Sequence, residues 1–240
     1  MLALRGAPNW RAVFGADFHE YGHRFELRPV LTEEQVAAME RRRGVTFPAE
    51  YRSFLLEVGA GGAGPDYGLF PVDPVTPVTP VAPAAVELVD AAAAPAPDAA
   101  TPDAATPTPK PPAVPLFRPE RTREWEEHQS AEPQRAVYGD TVDDEERFRR
   151  DYAAWDARDD ELLDALTDGT LYLSEQGCGY YTLMALTGPE RGTMWHDARA
   201  AAEGVIPVEF IGSTGRVTFA QWYAHWLTHA ERRAWDEPTT

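Results

Sequence analysis

Cys178 stands between Gly177 and Gly179, and His196 follows on the next apolar segment but one. A thiol and an imidazole are the minimal pair for nucleophilic catalysis, provided the thiol's pKa is lowered and the base is oriented. The sequence supplies neither condition. A lone cysteine is most simply a small, buried or half-buried apolar side chain. His19 and His23 are four residues apart, and His196-Asp197 with Glu175 forms a second group of metal-ligand types. Neither set has a third ligand at a diagnostic spacing, so they read as surface or hydrogen-bonded histidines. There is no GxxxxGK[ST] loop, no Gly-x-Gly-x-x-Gly between a strand and a helix, and no cysteine pair for zinc. The expectation is a protein with no catalytic residues, no metal and no cofactor.

The better-defined features are two loops of glycine and tyrosine. Gly59 to Phe70 holds five glycines in twelve positions, with Asp66 and Tyr67 near its end. Glu175-Gln176-Gly177-Cys178-Gly179-Tyr180-Tyr181 is the second loop. Glycine serves where φ is positive or where another backbone comes close. Tyr67, Tyr180, Tyr181 and Trp195 lie in or beside these loops, and Tyr and Trp are favoured at interface hot spots. The same tyrosines would equally pack against their own loops. Trp222, Tyr223 and Trp226 read as core.

The elements that position these loops are legible to different degrees. Thr32 and Gln35 make a capping box for a surface helix over 31–44, with Leu31 and Val36 as its staple and Gly44 as its C-cap. Glu33 and Glu34 at its start and Arg41–Arg43 at its end suit the helix dipole. A second helix over 47–59 starts with Pro48 in its first turn and buries Tyr51, Phe54, Leu55 and Val58. The charged stretch 143–166 is helical with a break near Arg158-Asp159-Asp160. Strands are expected at 171–173, 180–186, 193–196 and near 205–208, with a further strand at 67–70. A last helix begins at a Thr218 cap and carries Phe219, Trp222, Tyr223, Trp226 and Leu227 on one face. The first 30 residues read as a short helix near Trp10–Phe14 and a strand near Arg24–Arg28.

Composition bounds the rest. The chain has 240 residues, 43% of them hydrophobic, and 14 of its 22 prolines fall in 71–119. That Val-Thr-Pro and Ala-rich segment cannot bury enough surface to offset its ordering entropy, so it reads as an insertion. The net charge is −17, and the 17 acids and 7 arginines of 120–168 account for −10 of it. Such a field disfavours nucleic acid and anionic membrane and would speed encounter with a basic partner. One cysteine excludes an internal disulfide, Met1–Trp10 lacks the apolar stretch of a signal peptide, and no run is long enough for a membrane span. A cytoplasmic protein is expected.

Two blocks together resemble a known family. Pro48-Ala49-Glu50-Tyr51-Arg52-Ser53-Phe54-Leu55-Leu56, then Gly61–Pro65 and Tyr67–Phe70, form the first. Glu175–Tyr181, Thr187–Gly192, Trp195, Asp197 and the aromatic helix to Leu227 form the second. In this order they are similar to the SUKH superfamily of Smi/Knr cell-wall-assembly regulators, over roughly 31–70 and 155–228. The resemblance implies an α+β fold, a central mostly antiparallel sheet flanked by helices. It implies one discontinuous domain over 1–70 and 120–240, interrupted by the insertion. It further implies a protein-binding role. Bacterial members of the superfamily commonly act as immunity proteins that neutralise a toxin by binding it, and fungal members are regulators. On that reading Asp66, Tyr67, Glu175, Tyr180, Tyr181, Trp195 and Asp197 are the candidate contacts to a basic toxin domain. A regulator or scaffold without a toxin partner is the alternative.

Overall fold

Three Thr-x-x-[Gln/Asp] boxes open three of the helices. Thr32 with Gln35 starts α2 (Glu33–Arg43), Thr141 with Asp144 starts α5 (Val142–Ala165), and Thr218 with Gln221 starts α6 (Phe219–Trp235). In each, the threonine side chain accepts the third amide of the helix while the partner side chain accepts the threonine amide, so two orphan donors are satisfied at once. A computed structural model describes residues 2–18, 22–72 and 114–236. The other helices are α1 (Leu2–Arg5), α3 (Ala49–Glu57) and α4 (Arg121–Gln129). Pro48 caps α3 from outside, one position earlier than the sequence pattern places it.

The strands β1 (Thr170–Gly177), β2 (Tyr180–Ala185), β3 (Met194–Asp197) and β4 (Val205–Pro207) form one antiparallel sheet in sequential order. Alternation along the strands splits their side chains between two faces. Leu173, Met184 and Met194 join Val36, Met39, Tyr51, Phe54, Leu55, Phe219, Trp222 and Tyr223, so α2, α3 and α6 cover one face. Leu183, Ala185 and Trp195 join Phe117, Trp125, Leu162 and Leu166, so α4 and α5 cover the other. The fold is therefore α+β, a sheet between two helical layers. A third cluster, Leu4, Ala7, Val13, Ala16 and Phe25, packs the N-terminal segment on Ala230 and Ala234 of α6.

Several expectations are corrected. α5 runs unbroken through residues 158–160, because Asp159 accepts hydrogen bonds from Trp125 Nε1 (2.8 Å) and Gln129 of α4 and ties the two helices together. Helix α4 itself is absent from the sequence reading. Its single buried residue, Trp125, gives no periodic signal. Residues 24–28 do not make a strand. Arg24 and Phe25 have φ of 46° and 57°, and only Leu27 makes a bridge, to Gly62. Trp10–Ala12 is a 3-10 turn. Most of the insertion lies outside the described residues, but its end does not. Phe117, placed in the insertion by composition, is core: it packs edge-on to Trp195 at 5.0 Å, and its N–H donates to Thr187 Oγ1 at 2.9 Å.

Candidate functional site

The first glycine loop lies along the free edge of β1 and extends the sheet. Phe70 N–H donates to the Leu173 carbonyl (2.8 Å) and Tyr67 N–H to the Glu175 carbonyl (3.1 Å). Gly62 pairs with Leu69 on one side and Leu27 on the other. The composition follows from this crowding. Gly62 has φ of 97°, and a Cβ there would stand 2.3 Å from the Glu26 carbonyl oxygen. Only glycine allows the two backbones to meet. Tyr223 of α6 donates its hydroxyl to the Ala63 carbonyl at 2.9 Å and fixes the loop from below.

Asp66 follows at φ of 60°, half-buried, with its carboxylate turned onto the sheet. Its Oδ2 accepts from Ser174 Oγ and from Thr182 Oγ1, the latter at 2.9 Å. Gln176 Nε2 donates to Thr182 Oγ1 (3.0 Å) and to His196 Nδ1 (2.6 Å). A β-bulge builds this network. The pairing of β1 with β2 slips between Tyr172 and Ser174, so Leu173 is the extra residue and Ser174 pairs with Thr182. The slip puts Ser174 and Gln176 on the same side as Leu173, against the simple alternation. Burial raises the Asp66 pKa against the opposing pull of Ser174 and Thr182. Burial lowers that of His196, with the Asp66 charge opposing it.

This network holds Tyr67. Its ring covers the Gly177 backbone, where a Cβ would stand 3.2 Å from Tyr67 Cε2. Phe14 and Phe18 lean on the same ring at centroid distances of 5.1 and 4.9 Å. The N-terminal segment brings them there by passing directly over the loop: a Cβ on Gly15 would meet the Asp66 carbonyl at 1.9 Å. Phe14 is 60% exposed and Phe18 46%. The result is an aromatic ledge on a rigid base, beside the β1–β2 turn.

The seven residues singled out by sequence do not form one surface. Asp66 and Tyr67 lie together, as described. Glu175, Tyr181, Trp195 and Asp197 fall on the α4/α5 side of the sheet. Tyr181 meets Tyr172 at 5.4 Å and Phe70 at 6.4 Å, and its pKa is raised by burial, then by Glu175 and Asp197. Trp195 and Asp197 are each 2% exposed and support the sheet from within. Asp197 is engaged by Arg199, with Nε to Oδ1 at 2.8 Å and the second guanidinium nitrogen to Oδ2 at 2.7 Å; Tyr172 also donates to Oδ2 at 3.1 Å. Tyr180, half-buried, follows the turn.

Cys178 is exposed, not buried, because with φ of 54° it sits at the tip of the two-residue turn, next to Gly179 at 81°. His23 is a core residue: its Nδ1 accepts from Phe25 N–H at 3.0 Å, and its ring meets Trp226 edge-on at 5.7 Å. His19 lies outside the described residues. Among the described residues no group of three or more His, Cys, Asp or Glu is placed to hold a metal ion, and no helix is long and apolar enough to cross a membrane. The sequence reading missed Phe14 and Phe18 because their spacing has no period. It missed Ser174, Thr182 and Gln176 because a bulge cannot be read from alternation.

A family model for the SMI1 / KNR4 family (SUKH-1) matches residues 30–202, well over half of the chain. The chain belongs to the SMI1 / KNR4 family (SUKH-1). No curated protein and no solved structure matches it. The SUKH-1 match takes in the glycine loop, the Asp66 network and β1 to β3. Phe14 and Phe18 precede the matched residues and α6 follows them.

Proposed function

We propose that this protein is a non-enzymatic binding module that neutralises a toxin domain by covering it, with the Phe14–Tyr67–Phe18 ledge as the centre of the contact. The observation that carries this reading is the ledge itself. Two exposed phenylalanines flanking a half-buried tyrosine are the chemistry of interface hot spots, since aromatic side chains bury much area at little cost in side-chain entropy. Membership of the SUKH-1 family supports a binding role, and the superfamily's bacterial members supply the immunity precedent. The net charge of −17 favours a basic partner and rapid encounter. Tyr180, half-buried beside the same turn, lies at the margin of the contact.

The test is a search of the neighbouring genes for one that encodes a large secreted protein, followed by co-expression with that protein's toxin domain. The proposal expects a one-to-one complex and protection of the host cell. A toxin that kills equally with and without this protein, and that fails to co-purify with it, would rule the reading out. A regulator or scaffold is the second reading, and the insertion separates the two. Replacing residues 73–113 by a Gly/Ser linker of equal length leaves toxin capture unchanged under the first reading and abolishes partner capture under the second.

A further inference from the structure

The loop 209–217 stands off the outer face of α6 and leaves an open cleft of about 470 Å³. Two arginines and two histidines line it: Arg216 from the loop, and His225, His229 and Arg232 from α6. In a chain with 39 acidic residues, none lines this cleft. The three α6 residues are spaced i, i+4 and i+7, so they share one face of the helix. His225 stacks on Phe210 at 4.0 Å with the rings 13° apart, and its centroid is 4.3 Å from that of His229. Arg232 makes no ion pair among the described residues. Arg216 lies over Trp195 at 4.7 Å and pairs with Glu190 (3.2 Å), which anchors it at the rim. Opposite, Gly212 and Gly215 have φ of 95° and 88°, with open space where a Cβ would be. The amides of Gly212, Thr214 and Gly215 donate no hydrogen bond among the described residues.

We infer that this cleft binds a small dianionic oxyanion of the phosphate class. Guanidinium groups and a glycine-containing loop with free amides are the donors such an anion takes. A histidine pair at i, i+4 would by itself also suit a divalent metal. Here two arginines stand beside it and no carboxylate completes the set, so a cation is repelled where an anion is attracted. The other charges on the packed elements are Glu209 at the start of the loop, Glu190 behind Arg216, and Glu231 and Arg233 on α6. Burial, then His229 and Arg232, holds the His225 pKa below its ordinary value. A bound dianion relieves that repulsion. Anion affinity therefore rises as pH falls and His225 takes up its proton.

The probe is sulfate, which stays dianionic between about pH 5.5 and about pH 8. Titrated into the full chain at constant ionic strength and followed by amide NMR, it is expected to shift residues 212–216 and the facing turns of α6. Binding should be roughly tenfold tighter at the lower pH, and Arg232→Gln and His229→Gln should each weaken it by about tenfold without changing the melting temperature. A response equal to that of chloride, or one that both variants retain, overturns the inference. So does saturation by micromolar zinc with no response to sulfate. Inorganic phosphate and a phosphoserine peptide then separate the sources. Tighter binding of the peptide assigns the site to a phosphorylated chain, and equal binding assigns it to the free anion.

Discussion

Cys178 occupies a left-handed position, φ 54°, that asparagine and glycine adopt more readily than cysteine. Cys178→Asn should therefore stabilise the protein by about 0.5–1 kcal/mol, read as a higher urea midpoint with an unchanged slope. His23 gives a second residue-scale prediction. It is 8% exposed, and burial pushes its pKa down to about 4, against a smaller opposing contribution from the Phe14 backbone. The unfolded histidine takes its proton near pH 6.5, so the unfolded state binds protons first on acidification. Stability from this group is complete above about pH 6.5 and falls as pH drops toward 4, by up to about 3 kcal/mol. His23→Asn keeps an acceptor near Phe25 N–H and should flatten that part of the stability curve in urea melts taken from pH 7 to pH 4.

At the scale of elements, the glycine loop depends on the contact of its backbone with residues 26–28. Gly62→Ala would place a methyl group 2.3 Å from the Glu26 carbonyl oxygen at a φ of 97°. The expected loss is about 2–4 kcal/mol, together with loss of hydrogen-exchange protection at Ala63 and Leu69. The helices with a clear apolar face or a capping box noted in the sequence, α2, α3 and α6, were legible because local chemistry specifies them, and α5 was legible as helical but not as continuous. The four strands were legible because turns bound them. What was not legible depends on contacts distant in sequence. α4 is held by Trp125 and Asp159, 34 residues apart, and the continuity of α5 rests on that same bond. Of the candidate site, Asp66 and Tyr67 were singled out from the loop that carries them, and the structure places them side by side. Trp195 and Asp197 were singled out on the same grounds, but alternation and the Arg199 contact turn them inward.

At the scale of the whole molecule, the sheet separates two tasks. Its α4/α5 side is closed by Phe117, Trp125 and the Arg199–Asp197 pair. The loop edge of the sheet, with the Asp66 network behind it, presents Tyr67 between Phe14 and Phe18. On the proposed function, binding falls to that ledge and stability to the layers beneath. The most direct measurement is calorimetry of the purified protein against a toxin domain captured in the co-expression test, comparing wild type with Tyr67→Ala and with Phe14→Ser. The account predicts a loss of at least about 2 kcal/mol in binding for Tyr67→Ala and a smaller loss for Phe14→Ser, with both variants folded. Wild-type affinity in both variants would contradict it.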